Sequence, residues 1–291
     1  MKKILGSVLI VFIMTTIIAG CSKVADSRIF NAGKDITVVS REDGSGTRGA
    51  FTELFGIIER GTDGSRKDLT IKKAIITSKT DVVMVNIGND PHAIGYISLG
   101  SMNDMVKALK INGTTASADN VKNGSYTVFR PFNIAVKGEP SGLTKDFIDF
   151  IMAAEGQKVA ANSYIAIDDQ APNYAGDKPR GKIVVAGSSS VSPLMELLKE
   201  TYENINPGAK IEIQTSDSTA GLTGVTNGTC DIGMASRNLK PAELETLTEI
   251  TIALDGIVII VNNNNPTENM TKEQVRSIFI GEITKWNDIG S

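Results

Sequence analysis

Three times in this chain a β-branched run gives way to a glycine- or serine-rich turn and then to the start of an amphipathic helix. "ITVVS" leads into "REDGSGT" and the apolar positions Ala50, Phe51, Leu54 and Phe55. "KIVVA" leads through Gly187 to Ser190 into "VSPLMELLKETY", where Ser192 and Pro193 suit a helix start and Leu194, Leu197 and Leu198 form the apolar face. "KIEIQ" leads into "TSDSTAGLTGVTNG", with Ser218 and Thr219 at the start of a short helix. The strand-like runs "AIGYI" and "IVIIV" and the helix-like stretches "LTKDFIDFIMAAEGQKVAANSY" and "TKEQVRSIF" continue the alternation. Strands alternating with helices predict an α/β fold with mostly parallel sheets.

The same three turns suggest a chemistry. A helix N-terminus carries unpaired N–H groups and roughly half a positive charge. Gly44 and Gly46 admit close backbone approach, Ser45 and Thr47 add hydroxyls, and Arg41 offers a planar pair of donors that matches an oxyanion. A tetrahedral oxyanion needs donors from several directions, and helix N-termini supply them. None of the turns is followed by the G-K-[ST] of a nucleotide-binding loop.

The 291 residues suffice for one large or two medium domains, and a formal net charge of −3 offers nothing for general nucleic-acid binding. Lys2 and Lys3 precede an apolar run from Ile4 to Ala19, short for a membrane span and apt for a signal segment. It ends in "IIAGC", which resembles a bacterial lipobox and makes Cys21 the expected lipidated first residue of the mature chain. Cys230 then has no partner for an internal disulfide and reads as a small buried hydrophobe. His92 is the sole histidine, which argues against a His/Cys zinc site and against a Ser/His/Asp arrangement. Trp286, Phe129 and Phe132 read as packing residues, Thr271 as a helix cap, residues 22–34 as a polar tether, and residues 166–181 as a surface connection.

The segments "SREDGSGTRGAF", "GSSSVSPLMELL", "DSTAGLTGVTNGTCDIGMASRNLK", "ALDGIVIIVNNNNP" and "ITKWNDIG" together resemble the phosphate-binding lipoproteins of phosphate ABC transporters, the PstS family. The resemblance implies two α/β lobes of the periplasmic-binding-protein type (type II) around an anion cleft. It implies anion ligands at Arg41, Ser45, Gly46, Thr47, Ser189, Ser190 and Ser218. In the family the "GSSSVSP" segment opens the mature chain and "ITKWNDIG" runs on into "ITVVSREDGSGT". The order here is therefore that of a circular permutation, with residues 166–181 joining the family's usual ends. One lobe would comprise residues 35–128 plus 262–291, the other the continuous stretch 130–258, and Ile289 would lie near Asp35. Where better-known members carry an aspartate that accepts a proton from phosphate, this chain has Arg237, expected as a second arginine on the anion. Asp255 is the expected replacement acceptor, with a cap or hinge salt bridge as its other reading; Glu42 and Asp43 are weaker choices.

The implied function is a lipid-anchored receptor at the outer face of the cell membrane, without cofactor or metal and expected as a monomer. It would bind inorganic phosphate and present it to permease subunits of an ABC transporter. The residues also allow a receptor for sulfate, molybdate or a phosphorylated metabolite, a phosphate-sensing or adhesion relative, or a secreted phosphatase with a Ser or Asp nucleophile.

Overall fold

A computed structural model describes residues 29–61 and 65–290. Cys21 and the rest of the expected signal segment, 1–21, lie outside the described residues. A nine-stranded sheet organises the chain. Its strands are β1 (Thr37–Arg41), β2 (Ile75–Thr77), β3 (Ala93–Ser98), β4 (Lys107–Ala108), β5 (Phe129–Val136), β6 (Gly181–Ser188), β7 (Ala209–Ser216), β8 (Ile232–Ala235) and β9 (Thr248–Val261). The order is β7-β6-β8-β5-β9-β3-β1-β2, with β4 on β9. The pairs β1–β2, β1–β3, β6–β7 and β6–β8 are parallel, as strand–turn–helix units require, but β8–β5, β5–β9, β9–β3 and β9–β4 are antiparallel, so the sheet is mixed and not mostly parallel as expected.

β9 is the shared element. Its first part, Thr248–Gly256, pairs antiparallel with β5, and its second, Ile257–Val261, pairs with β3. The expected strand "IVIIV" is thus only the end of a longer one. Two large apolar clusters sit on either side of this transition. One gathers Phe132, Phe147, Phe150, Val185, Leu194, Tyr202, Ile211 and Ile252. The other gathers Ile36, Phe51, Tyr96, Tyr126, Ile257, Phe279 and Trp286. Ile165 departs from the expected division, because it packs in the second cluster and bridges to Leu254.

The longer helices among the described residues are α1 (Gly46–Leu54), α2 (Thr80–Asn89), α3 (Gly142–Met152), α4 (Ala154–Ala161), α5 (Ser192–Ile205), α6 (Ser218–Asn227) and α7 (Lys272–Ile280). The stretch expected as a single helix after Leu143 breaks at Ala153, which is extended (φ −80, ψ 169). Gly156 allows the packing that follows the break: a Cβ there would lie 2.3 Å from the carbonyl oxygen of Phe150, so α4 seats directly on the end of α3. The expected cap at Thr271 is present, its hydroxyl accepting from the Gln274 amide.

Residues 29–34 are not a free tether. The Phe30 ring stacks on His92 at 5.6 Å and meets Trp286 edge-on at 5.9 Å. The Asn31 amide donates to His92 Nε2, and the Asn287 amide donates to the Ala32 carbonyl. Asp35 forms an antiparallel bridge with Lys285, so the two ends of the described chain lie side by side.

Candidate functional site

Each of the three turns delivers its residues to one buried cluster of hydroxyls. Ser45 caps α1, accepting from the Arg48 amide. Gly46, the first residue of α1, is packed so closely that a Cβ would lie 2.4 Å from Ser218 Oγ and 2.6 Å from Ser236 Oγ. Helix α6, capped by Asp217, begins at Ser218. The N-termini of α1 and α6 therefore meet with no room for a methyl group. Thr47 Oγ1 and Ser190 Oγ, from the α1 and α5 turns, are 2.7 Å apart. Ser188 Oγ donates to Ser236 Oγ at 2.9 Å, and Ser218 Oγ accepts from the Ser236 amide at 3.1 Å.

Arg41 ends β1 inside this cluster and is 2% exposed. Its amide donates to the Tyr96 hydroxyl at 3.2 Å, and Tyr96 lies flat on Phe51 with ring centroids 3.9 Å apart. A rigid aromatic stack thus sets the position from which the guanidinium extends. Burial pushes the Tyr96 phenol above its ordinary value, so Tyr96 stays neutral. The Arg41 guanidinium grips Glu42 through both Nε (2.9 Å) and Nη2 (2.7 Å), and Nη2 also donates to Ser189 Oγ at 3.1 Å. Nη1 donates to Thr80 Oγ1 at 3.3 Å.

The structure brings together Arg41, Ser45, Gly46, Thr47, Ser189, Ser190 and Ser218. Two other expected ligands do not join them. Arg237 is engaged by Glu243 through two contacts of 2.8 Å, and its remaining bonds go to Thr219 Oγ1 and the Asn238 carbonyl. Unlike Arg41, it makes none of these bonds to the seven residues just named. Asp255 is completely buried; Oδ1 accepts from Ser98 Oγ at 2.8 Å and Oδ2 from Arg130 Nη2 at 3.0 Å. Burial raises its carboxyl from the ordinary value, while Arg130 and Ser98 pull the other way. Its salt-bridge reading is therefore the one the geometry matches. Asp43 is almost fully exposed and pairs with Arg48.

Sequence reasoning missed Thr80, Ser188, Ser236 and Arg130. Ser236 stands immediately before Arg237 and Ser188 inside the quoted "GSSS", so both were available; Arg130 in "RPFN" carried no separate signal. Among the described residues no group of His, Cys, Asp and Glu side chains is arranged to hold a metal ion. Cys230 is buried, which pushes its thiol upward and keeps it protonated.

Two lobes sharing a crossover strand, with strand-to-helix turns converging between them, define a periplasmic-binding-protein-like domain. The family model described as the PBP superfamily domain matches residues 26–155 and 172–291. Phosphate-binding protein PstS 2 of Streptococcus agalactiae is 47% identical over 276 residues, covering 94% of this chain and 93% of that protein. The crystal structure of a phosphate-binding protein of a phosphate ABC transporter from Streptococcus pneumoniae is 44% identical, with a TM-score of 0.70 over 88% of this chain and 99% of that one. Phosphate-binding protein PstS of Bacillus subtilis is 34% identical over 142 residues, 47% of this chain and 44% of that protein. The chain belongs to the PstS family of phosphate-binding proteins.

Proposed function

We propose that this chain is a receptor that binds inorganic phosphate in the cleft and hands it to the permease of an ABC transporter. The observation that carries the reading is the convergence of Arg41, Ser45, Gly46, Thr47, Ser189, Ser190 and Ser218, chosen from three separate turns, into one buried cluster. Stripping water from a multiply charged anion is costly, and many directed donors are needed to replace it. Hydroxyls, helix N-termini and the Arg41 guanidinium, which reaches Ser189 as well as Glu42, supply them here. The lobes close on the anion by hinge motion about the strands that join them. No bond is made or broken; turnover of a chromogenic phosphoester would overturn that part of the reading.

A covalent lipid at Cys21 tethers the mature chain to the outer face of the membrane. The chain order is a circular permutation, with lobes of residues 35–128 plus 262–291 and residues 130–258. Two observations support it. The relative from Streptococcus agalactiae aligns over 94% of this chain and so has the same order, whereas that from Bacillus subtilis aligns over 47%, as a different order in that protein would give. Asp35 and Lys285 form a bridge, so residues near the two ends of the described chain are neighbours, as a permuted order requires.

A second reading, a less selective oxyanion receptor, is favoured by the state of the acids. Glu42 and Asp255 are both bonded to arginines, so neither stands ready to accept the proton that distinguishes hydrogen phosphate from sulfate. Calorimetric titration of the mature protein with phosphate and with sulfate, from pH 6 to pH 8, tests both readings. The first expects saturable phosphate binding that sulfate does not displace; sulfate competing on equal terms establishes the second, and no phosphate binding defeats the first.

A further inference from the structure

Helix α2 places a fourth helix N-terminus at the same cluster. Its first residue, Thr80, is buried at 6% exposure, and no side chain caps the helix at Lys79. The turn before it is tied to β1: the Glu42 amide donates to the Thr77 carbonyl, and Arg41 Nη2 donates to the Ser78 carbonyl. That anchoring holds Thr80 Oγ1 at 3.3 Å from Arg41 Nη1, 3.5 Å from Ser189 Oγ and 3.4 Å from Ser190 Oγ. All three neighbours are groups assigned above to the anion, and they come from both lobes.

A hydroxyl has one proton to donate and two lone pairs to accept with. Thr80 Oγ1 accepts from Arg41, which leaves its own proton to be directed at whatever the surrounding donors hold. An anion oxygen shared by Arg41, Ser189 and Ser190 lies within reach of that proton. The uncapped start of α2 adds a favourable dipole at the same cluster.

We propose that Thr80 is itself an anion ligand, and that α2 is a fourth helix N-terminus facing the bound anion. The proposal rests on the oxyanion-receptor reading of the cleft. It predicts that a hydroxyl at position 80 is required for affinity and that the fold does not depend on it.

The test is calorimetric titration of wild type, Thr80→Ser and Thr80→Val with phosphate, sulfate and molybdate in parallel, with the melting temperature of each ligand-free protein as a check on folding. Thr80→Val keeps the shape and loses the hydroxyl, so phosphate affinity should fall by about tenfold to a hundredfold. Thr80→Ser should stay within about threefold of wild type, and all three should melt alike without ligand. Wild-type affinity in Thr80→Val overturns the proposal. Thr80→Ser as weak as Thr80→Val also overturns it, because the methyl group and not the hydroxyl would then matter. If wild type binds another of these anions but not phosphate, the phosphate reading alone fails and Thr80 is judged on the anion bound. If wild type binds none of them, both fail.

Discussion

Arg130 and Asp255 are register partners on the antiparallel strands β5 and β9, and their side chains meet at 3.0 Å with 2% and 1% exposure. Two residues further on, β9 leaves β5 and pairs with β3, so the ion pair sits where the chain passes between its two halves. Arg130 Nη1 also donates to the Ser236 carbonyl, linking this crossing to the cleft. Asp255→Asn removes the countercharge and leaves a buried guanidinium without it. Such losses cost about 3–5 kcal/mol. Urea unfolding of the ligand-free protein should show a fall of that size, and unchanged stability would contradict the assignment.

Gly46 is a position where ligand binding and the stability of the ligand-free protein are separable. A Cβ at 2.4 Å and 2.6 Å from the hydroxyls of Ser218 and Ser236 is incompatible with the closed cluster. The strain of overpacking, about 1–3 kcal/mol, falls on the closed form and is avoided when the lobes part. Gly46→Ala should therefore weaken phosphate binding roughly five- to a hundredfold, with the melting temperature of the ligand-free protein changed little. Equal affinity in Gly46→Ala and wild type would show that the cluster can spread to admit the methyl group.

The three turns were legible because glycine, serine and proline at a strand-to-helix junction have local conformational reasons to be there. Helix α2 was not. Its sequence "TDVVMVNIGN" places Val82 and Val85 outward as well as Val83 and Ile87 inward, which blurs the helical period, and its cap position is a lysine. Thr80 was hidden with it. β5 was obscured by Pro131, tolerated because β8 pairs only with Asn133 to Ala135 on that side. Arg237 misled because its charge type suits an anion; its partner Glu243, six residues on, decides its role only through the turn between them. Asp255 was placed among possible ligands because burial and pairing with Arg130 are tertiary facts, set by the register of β5 on β9.

Arg237 and Glu243 join in a clasp that reaches across the cleft, for Thr219, bonded to Arg237, also donates through its amide and hydroxyl to the Gly44 carbonyl. Burial pushes the Glu243 carboxyl upward, but hydrogen bonds from Arg237 and the Lys240 amide outweigh it and hold it below its ordinary value. A depressed carboxyl contributes stability that is fully present above the unfolded value, about 4.3, and is lost as pH falls through the folded one. Glu243→Gln should melt about 2–4 °C below wild type at pH 7, with the gap closing below about pH 4. A gap that widens on acidification would contradict this.

The adjacency of Asp35 and Lys285 makes the permuted order testable by reversing it. A re-cut chain carrying residues 181–290, a short linker and then residues 29–165 should fold and bind phosphate within about tenfold of the original, because surface cuts between neighbouring termini preserve the core. Circular dichroism and calorimetry check it. An unfolded re-cut chain would show that residues 166–180 do more than connect, as the bond from Tyr174 to Asp146 would then imply.

The most direct test of the central claim is a crystal structure of the mature protein with phosphate. The account predicts one phosphate between the lobes, within hydrogen-bond distance of Arg41, of Ser45 to Thr47, of Ser189 and Ser190, and of Ser218. Phosphate bound elsewhere, or contacted by Arg237 in place of these groups, would contradict it.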